Sequence, residues 1–382
     1  MPFHNTLRAD GVHDDTAAVQ ERLDAGGLVE IPAGSYLISD TLLIHDGTDL
    51  RLDFGAVIRL ADGACCLMLR NALPGARETG RGIIVEGGVW DGNNAAQRRG
   101  KVSSDKPYYS GVVMRFERVT DLIIRDLTVK DPESYALQLK DVDRFRVENI
   151  TFDFNMLKPN MDGVHVQGRA RNGVVRNIMG ATNDDLVALN CDDGYDDGEN
   201  PIVTQGDIEN VLIDGVFADN GYTAVRLLSC GSRMRNIAIR NIFGTYRFYG
   251  VSFTNHGIIP DTPSWFDGVM IDGVHASKHP QIPPVDRRYI DSVDIPYGRG
   301  THDDAIRHGP IIWFERGIAC GDVSISNVFR IEEAVTQAPT IQIDEGVRIE
   351  RLALHNVNQR FLNAPEAPLI DNRGAVKEIA EN

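Results

Sequence analysis

This chain of 382 residues is short of cysteine, tryptophan and positive charge: five Cys, three Trp, and 39 Lys plus Arg against 55 Asp plus Glu. An odd cysteine count, with two of the five adjacent at Cys65–Cys66, argues against an even disulfide framework, and no C-x-x-C pair offers a metal knuckle. Reduced thiols are expected. The formal net charge of −16 argues against a nucleic-acid or anionic-membrane partner, both of which attract Lys and Arg patches. No run approaches the ~18 apolar residues that span a bilayer. The opening MPFHNTLRADGVHDD lacks a basic segment followed by an apolar one, so a cytoplasmic location is expected. Nothing in the composition asks for a metal or cofactor, and whether the chain forms a homo-oligomer is left open.

What is abundant is repetition. A block of alternating apolar residues around a polar pair reads IIRDL at Ile123–Leu127, RVENI at Arg146–Ile150, VVRNI at Val174–Ile178 and LIDGV at Leu212–Val216. It continues as AIRNI at Ala238–Ile242, MIDGV at Met270–Val274, SISNV at Ser324–Val328 and RIERL at Arg348–Leu352. Spacings of about 23 to 32 residues mark a solenoid or propeller. Period-2 alternation rich in β-branched residues means strands. Second short strands, such as YALQL at Tyr135–Leu139, GVHV at Gly163–Val166 and AVRL at Ala224–Leu227, favour compact coils over propeller blades. The pattern predicts an all-β fold, a right-handed parallel β-helix with coils ~4.8 Å apart. We read residues 1–382 as a single domain.

The first 40 residues differ. DDTAAVQERLDAGG at Asp14–Gly27 predicts a helix with Asp14 or Asp15 as N-cap, Ala18, Val19 and Leu23 on one face, and glycine as the stop. It would cover the open end of the solenoid, whose bare strand edge otherwise invites aggregation. Residues 277–310, rich in Pro, His, Arg and Asp, read as an inserted loop because the repeat resumes beyond them.

Chemistry concentrates in NMDGVHVQG at Asn160–Gly168 and TNDDLVALN at Thr182–Asn190. Val164 and Val166 face inward, as do Val187 and Leu189, so Asp162 and Asp185 hold equivalent positions on neighbouring coils. Strict alternation would aim both inward, so the chain must still be bending there. Three carboxylates, Asp162, Asp184 and Asp185, then meet on one outer patch, as acid–base cleavage of a glycosidic bond requires. The plainer alternative is that they cap solenoid bends. On the same face Gln138, His165 and Arg226 share a column, and Asn160 and Asn190 are candidate donors to sugar hydroxyls. Arg226 either binds substrate or pairs with a nearby Asp. The acidic run DDGYDDGEN at Asp192–Asn200 lacks Ca²⁺-loop spacing and reads as a solvated loop. Trp265, Tyr246, Phe248 and Tyr249 fit either a sugar subsite or stacked core.

The capped opening resembles the pectate-lyase-like β-helix superfamily. GGVWDGNN at Gly87–Asn94, the stretch Val112–Phe152, NMDGVHV and NDDLVAL together resemble the family 28 glycoside hydrolases, the polygalacturonase family. That resemblance implies an inverting hydrolase of an oligo- or polysaccharide, with Asp184 as acid and Asp162 and Asp185 activating water. The chain departs from the family one coil on, where its G-H-G histidine is matched by Thr223. Farther on, the R-I-K cations that grip substrate carboxylates are matched by Ser252 and Thr254. These departures detach the expected reaction from plain polygalacturonan. A lyase, epimerase or intramolecular transferase on the same scaffold, or a non-catalytic binding module of tailspike type, are the alternatives.

Overall fold

The computed structural model describes residues 3–72, 79–97, 111–158, 160–192, 205–257, 264–279 and 309–381. Twenty-four strands join one continuous sheet in which the paired strands run parallel, and the path is that of the expected right-handed β-helix. Seven of the eight repeat blocks begin in one register column: Ile123, Arg146, Val174, Leu212, Ala238, Met270 and Ser324 lie on successive coils. The eighth does not. Ser324 pairs with Ala353, so the equivalent of SISNV is ALHNV at Ala353–Val357, and RIERL belongs to the arm before it. The slip has a physical source. Several long strands bend at two points five residues apart, such as Asn172 and Asn177 or Asn236 and Asn241, so neighbouring arms carry similar patterns.

One residue into each block, Ile124, Val147, Val175, Ile213, Ile239, Ile271 and Ile325 form a stack without exposed surface. Each such burial is worth roughly 1.5–3 kcal/mol. The polar pair supplies the bend: Asn149, Asn177 and Asn241 adopt the left-handed backbone that Asn tolerates well. Their amides also hydrogen-bond from coil to coil. Asn177 donates to Asn149 at 2.8 Å, and Asn149 donates to Asp126 at 2.7 Å.

The N-terminal helix spans Thr16–Ala25, buries Ala18, Val19 and Leu23, and stops at Gly26 with φ 66. Asp15 occupies the N-cap position, yet its carboxylate accepts from the amides of Arg8 and Ala9 rather than from the helix. Gln20 treats the strand Leu42–Ile44 as a neighbouring strand would. Its side chain donates to the Leu43 carbonyl at 3.0 Å and accepts from the Leu43 amide at 2.8 Å. The helix thus satisfies an otherwise open edge. No helix among the described residues is long and apolar enough to cross a membrane. Of the expected insertion, residues 280–308 lie outside the described residues, and register resumes beyond it, where Ile312 pairs with Val251.

Candidate active site

The break in alternation expected at Asp162 and Asp185 is present. Leu186 and Val187 are consecutive core residues, so alternation breaks there and Asp185 turns outward. One coil earlier, the position of Leu186 is Gly163. A Cβ there would lie 2.2 Å from the Phe152 ring and 2.5 Å from the Leu186 carbonyl oxygen. No larger residue fits beside Asp162. The bend before Asp184 is tied by Thr182, whose hydroxyl donates to the Asp184 carbonyl at 2.6 Å.

The three carboxylates converge. One oxygen from each of Asp162, Asp184 and Asp185 lies within 4.8 Å of the others. Asp162 and Asp185 are buried, whereas Asp184 keeps part of its surface open. Asp162 Oδ2 meets His165 Nδ1 at 2.7 Å, and Asp185 Oδ2 meets Arg226 Nε at 2.7 Å. Asn190 links the two basic partners: its oxygen accepts from His165 Nε2 at 3.1 Å and from Arg226 Nη2 at 3.2 Å, while its nitrogen donates to the Leu189 carbonyl. These donors assign the amide orientation. Tyr135, one coil before, stacks on His165 with centroids 4.0 Å apart.

The expected residues therefore divide. His165 and Asn190 have no exposed surface: His165 meets Asp162, and Asn190 meets His165 and Arg226. Arg226 pairs with Asp185, one of the two alternatives left open for it, and keeps part of its surface open. Gln138 accepts from Arg115 Nε at 2.8 Å and reaches Gln167 at 3.4 Å, one coil from His165 in the predicted column. Asn160 is a left-handed bend residue with φ 55. Asp192 anchors the neighbouring bend by accepting from the Ser232 amide and hydroxyl at 2.7 and 2.6 Å; it is not a solvated loop residue. Residues 193–200 lie outside the described residues.

Burial pushes the Asp185 carboxyl well above the ordinary carboxylate range; Arg226 opposes this, and the charges of Asp184 and Asp162 reinforce it. His256 is pushed down to about 3 by desolvation and by Arg226 and His165, although its residue remains exposed. It is therefore neutral beside Arg226, whose Nη1 lies 3.5 Å from its Nε2.

Three contributions escaped the sequence reading. Arg247 is buried, donates to Asn183 at 3.0 Å and to the Thr182 carbonyl at 2.8 Å, and feels the charge of Asp184. The buried pair Lys158–Glu133, 3.2 Å apart, pins the chain leading to Asp162. Tyr222, whose phenol is held neutral by burial and by Asp184 and Asp185, begins an aromatic run through Phe248 and Tyr249 to Trp313. Of the other candidate aromatics, Tyr246 is fully buried, as the stacked-core alternative has it, and Trp265 is partly exposed on the strand Trp265–Lys278.

The fold is a right-handed parallel β-helix, and it carries three clustered aspartates on one patch. The model of the glycosyl hydrolases family 28 matches residues 75–207, which include all three aspartates, so that segment is similar to the family. A protein of Aspergillus niger provisionally named rhamnogalacturonase D is 24% identical over 226 residues, 57% of this chain and 44% of that one. Plasmin and fibronectin-binding protein A of Streptococcus pneumoniae is 27% identical over 160 residues, 37% of this chain and 22% of that one. The chain thus spans less than half the length of these curated relatives. The family 28 exopolygalacturonase of Yersinia enterocolitica shares the fold, with a TM-score of 0.54 at 14% identity, over 98% of this chain and 76% of that one.

Proposed function

We propose that the protein is a glycoside hydrolase whose acid is Asp184 and whose water-activating pair is Asp162 and Asp185, acting with inversion on a carbohydrate other than plain polygalacturonan. The observation that carries this reading is the pairing pattern inside the cluster. Asp162 and Asp185 each hold a basic partner, His165 and Arg226, and Arg226 opposes the rise that burial imposes on the Asp185 carboxyl. Asp184 takes part in no ion pair among the described residues and alone of the three is partly open to the groove. Three carboxyls this close titrate as one system, so a proton that burial retains in the cluster belongs to all of them. The carboxyl that faces the groove delivers it to the leaving oxygen.

Spacing is compatible with inversion. Inverting enzymes separate their carboxyl groups by about 6.5–9.5 Å to admit a water. Here the 4.8 Å limit is measured between nearest oxygens, and each C–O arm adds up to about 1.2 Å. That bound admits the lower end of the inverting range and also the spacing of about 5–5.5 Å that retaining enzymes use. A lyase or epimerase needs a base for a sugar C–H and a free cation for the uronate; His165 is buried and Arg226 is engaged, which weakens that reading.

The test is incubation with neutral and uronate oligosaccharides. New reducing ends without unsaturated-uronate absorbance support hydrolysis, and new absorbance supports a lyase. Asp184→Asn should lower kcat by about 10²–10⁴-fold with the fold retained. Full activity in that variant sinks the assignment, and binding without any cleavage by the parent protein favours a binding module.

A further inference from the structure

The aromatic run beyond the aspartates has no part in the acid–base chemistry. It starts at Tyr222, whose ring centroid lies 5.0 Å from that of Phe248; Phe248 lies 3.9 Å from Tyr249, and Tyr249 stacks on Trp313 at 4.7 Å. Trp313 sits on the outward column that carries Arg226 and then Ser252 on the two preceding coils. It is thus displaced from Arg226 by two coils, about 10 Å along the solenoid axis. Phe248 and Trp313 both remain partly exposed.

The platform is braced from below. Lys278 is buried; its ammonium donates to the Phe248 carbonyl and, at 3.2 Å, to the Pro310 carbonyl. One side chain therefore ties together the two segments that carry the rings. Trp313 Nε1 donates to Asp344 at 3.0 Å, which fixes the indole plane. Two buried cations back the run, Arg247 at 5.5 Å from the Tyr222 ring and Lys278 at 5.9 Å from the Tyr249 ring, whereas the polar groups around Trp313 are uncharged or acidic. Ser252 and Thr254 are hydroxyls, and Thr254 donates to Glu315, whose carboxylate also accepts from the Asn255 amide at 2.7 Å.

Ring faces carry negative charge density and attract C–H groups, and Glu315 and Asp344 add negative charge nearby. A sugar carboxylate held against the partly exposed Trp313 end would be opposed by both. We propose that these rings form a subsite, C-terminal to the aspartates, that stacks against an uncharged sugar unit and makes it a specificity determinant of the groove. The placement of the cleaved bond beside this subsite rests on the hydrolase reading; the binding itself does not.

The test separates the two. The Asp184→Asn protein is titrated with oligogalacturonate and with the same oligosaccharide after its carboxyls are reduced to primary alcohols, following tryptophan fluorescence and calorimetry. The reduced probe should bind at least tenfold more tightly, and Trp313→Ala or Phe248→Ala should each remove most of that preference, with circular dichroism confirming the fold. Tighter or equal binding of the acidic probe overturns the proposal. So does unchanged preference in both ring variants, or binding of neither probe. A parent protein that binds the reduced probe through Trp313 yet cleaves no oligosaccharide keeps the subsite and refutes only the hydrolase reading.

Discussion

The outer face of the solenoid changes character across the aspartates. On the N-terminal side, Arg115, Gln138, Lys140 and Gln167 form a buried, hydrogen-bonded, charge-bearing cluster, with Arg115 donating to Gln138 and Lys140 3.9 Å from Glu117. On the C-terminal side, Ser252 and Thr254 replace cations, and Phe248, Tyr249 and Trp313 supply rings. A single column runs Arg115, Gln138, His165, Ala188, Arg226, Ser252, Trp313. Parallel stacking turns each column into a row of interchangeable subsites, so recognition can change along it while the core beneath keeps the same register.

Breaking the charge pairs at the centre should have the largest effect on stability. Arg226→Met leaves Asp185 buried without its cation, a change that typically costs about 3–5 kcal/mol. The loss should be greatest at neutral pH and shrink toward acid, because a protonated Asp185 no longer needs a partner. Urea unfolding at several pH values reads this, and an equal deficit throughout would contradict the pairing. The parent protein carries a related signature. With its folded pKa raised above 3.8, the Asp185 carboxyl contributes stability below that value and loses it as pH rises through the folded pKa. Asp185→Asn should flatten that slope.

His165→Ala should come next. It removes a buried bond to a carboxylate, about 1.5–3 kcal/mol, and should lower kcat with little change in KM, because His165 is buried against Asp162. A rise in KM alone would place His165 against substrate instead. Lys278→Met probes the aromatic side. The lost bonds to the Phe248 and Pro310 carbonyls should cost about 1–2 kcal/mol in thermal unfolding and raise KM more than they lower kcat. If kcat falls as far as in His165→Ala, the two sides of the groove are not separate devices.

Much of this was legible in the sequence. The Asn and Asp pairs named the bends, and the inward valines placed Asp162 opposite Asp185, because a period-2 strand admits few registers. The shared column of Gln138, His165 and Arg226 followed from the same count. Burial did not. His165 looks like any outward residue until Tyr135 stacks on it and Asp162 and Asn190 close around it. Trp313 escaped for a topological reason: a long insertion separates it from Ser252, its register partner, so counting repeats could not place the indole beside Tyr249. The misplaced last block shows the same limit, since arms five residues apart carry nearly the same pattern.

The central claim is that Asp184 protonates the leaving oxygen while Asp162 and Asp185 direct a water to the opposite face of the sugar. Proton nuclear magnetic resonance of the first product formed from an oligosaccharide that the protein cleaves tests this most directly. The account predicts a free reducing end of inverted anomeric configuration, absent in Asp184→Asn. A product that first appears with retained configuration, or one bearing a double bond in the sugar ring, would contradict it.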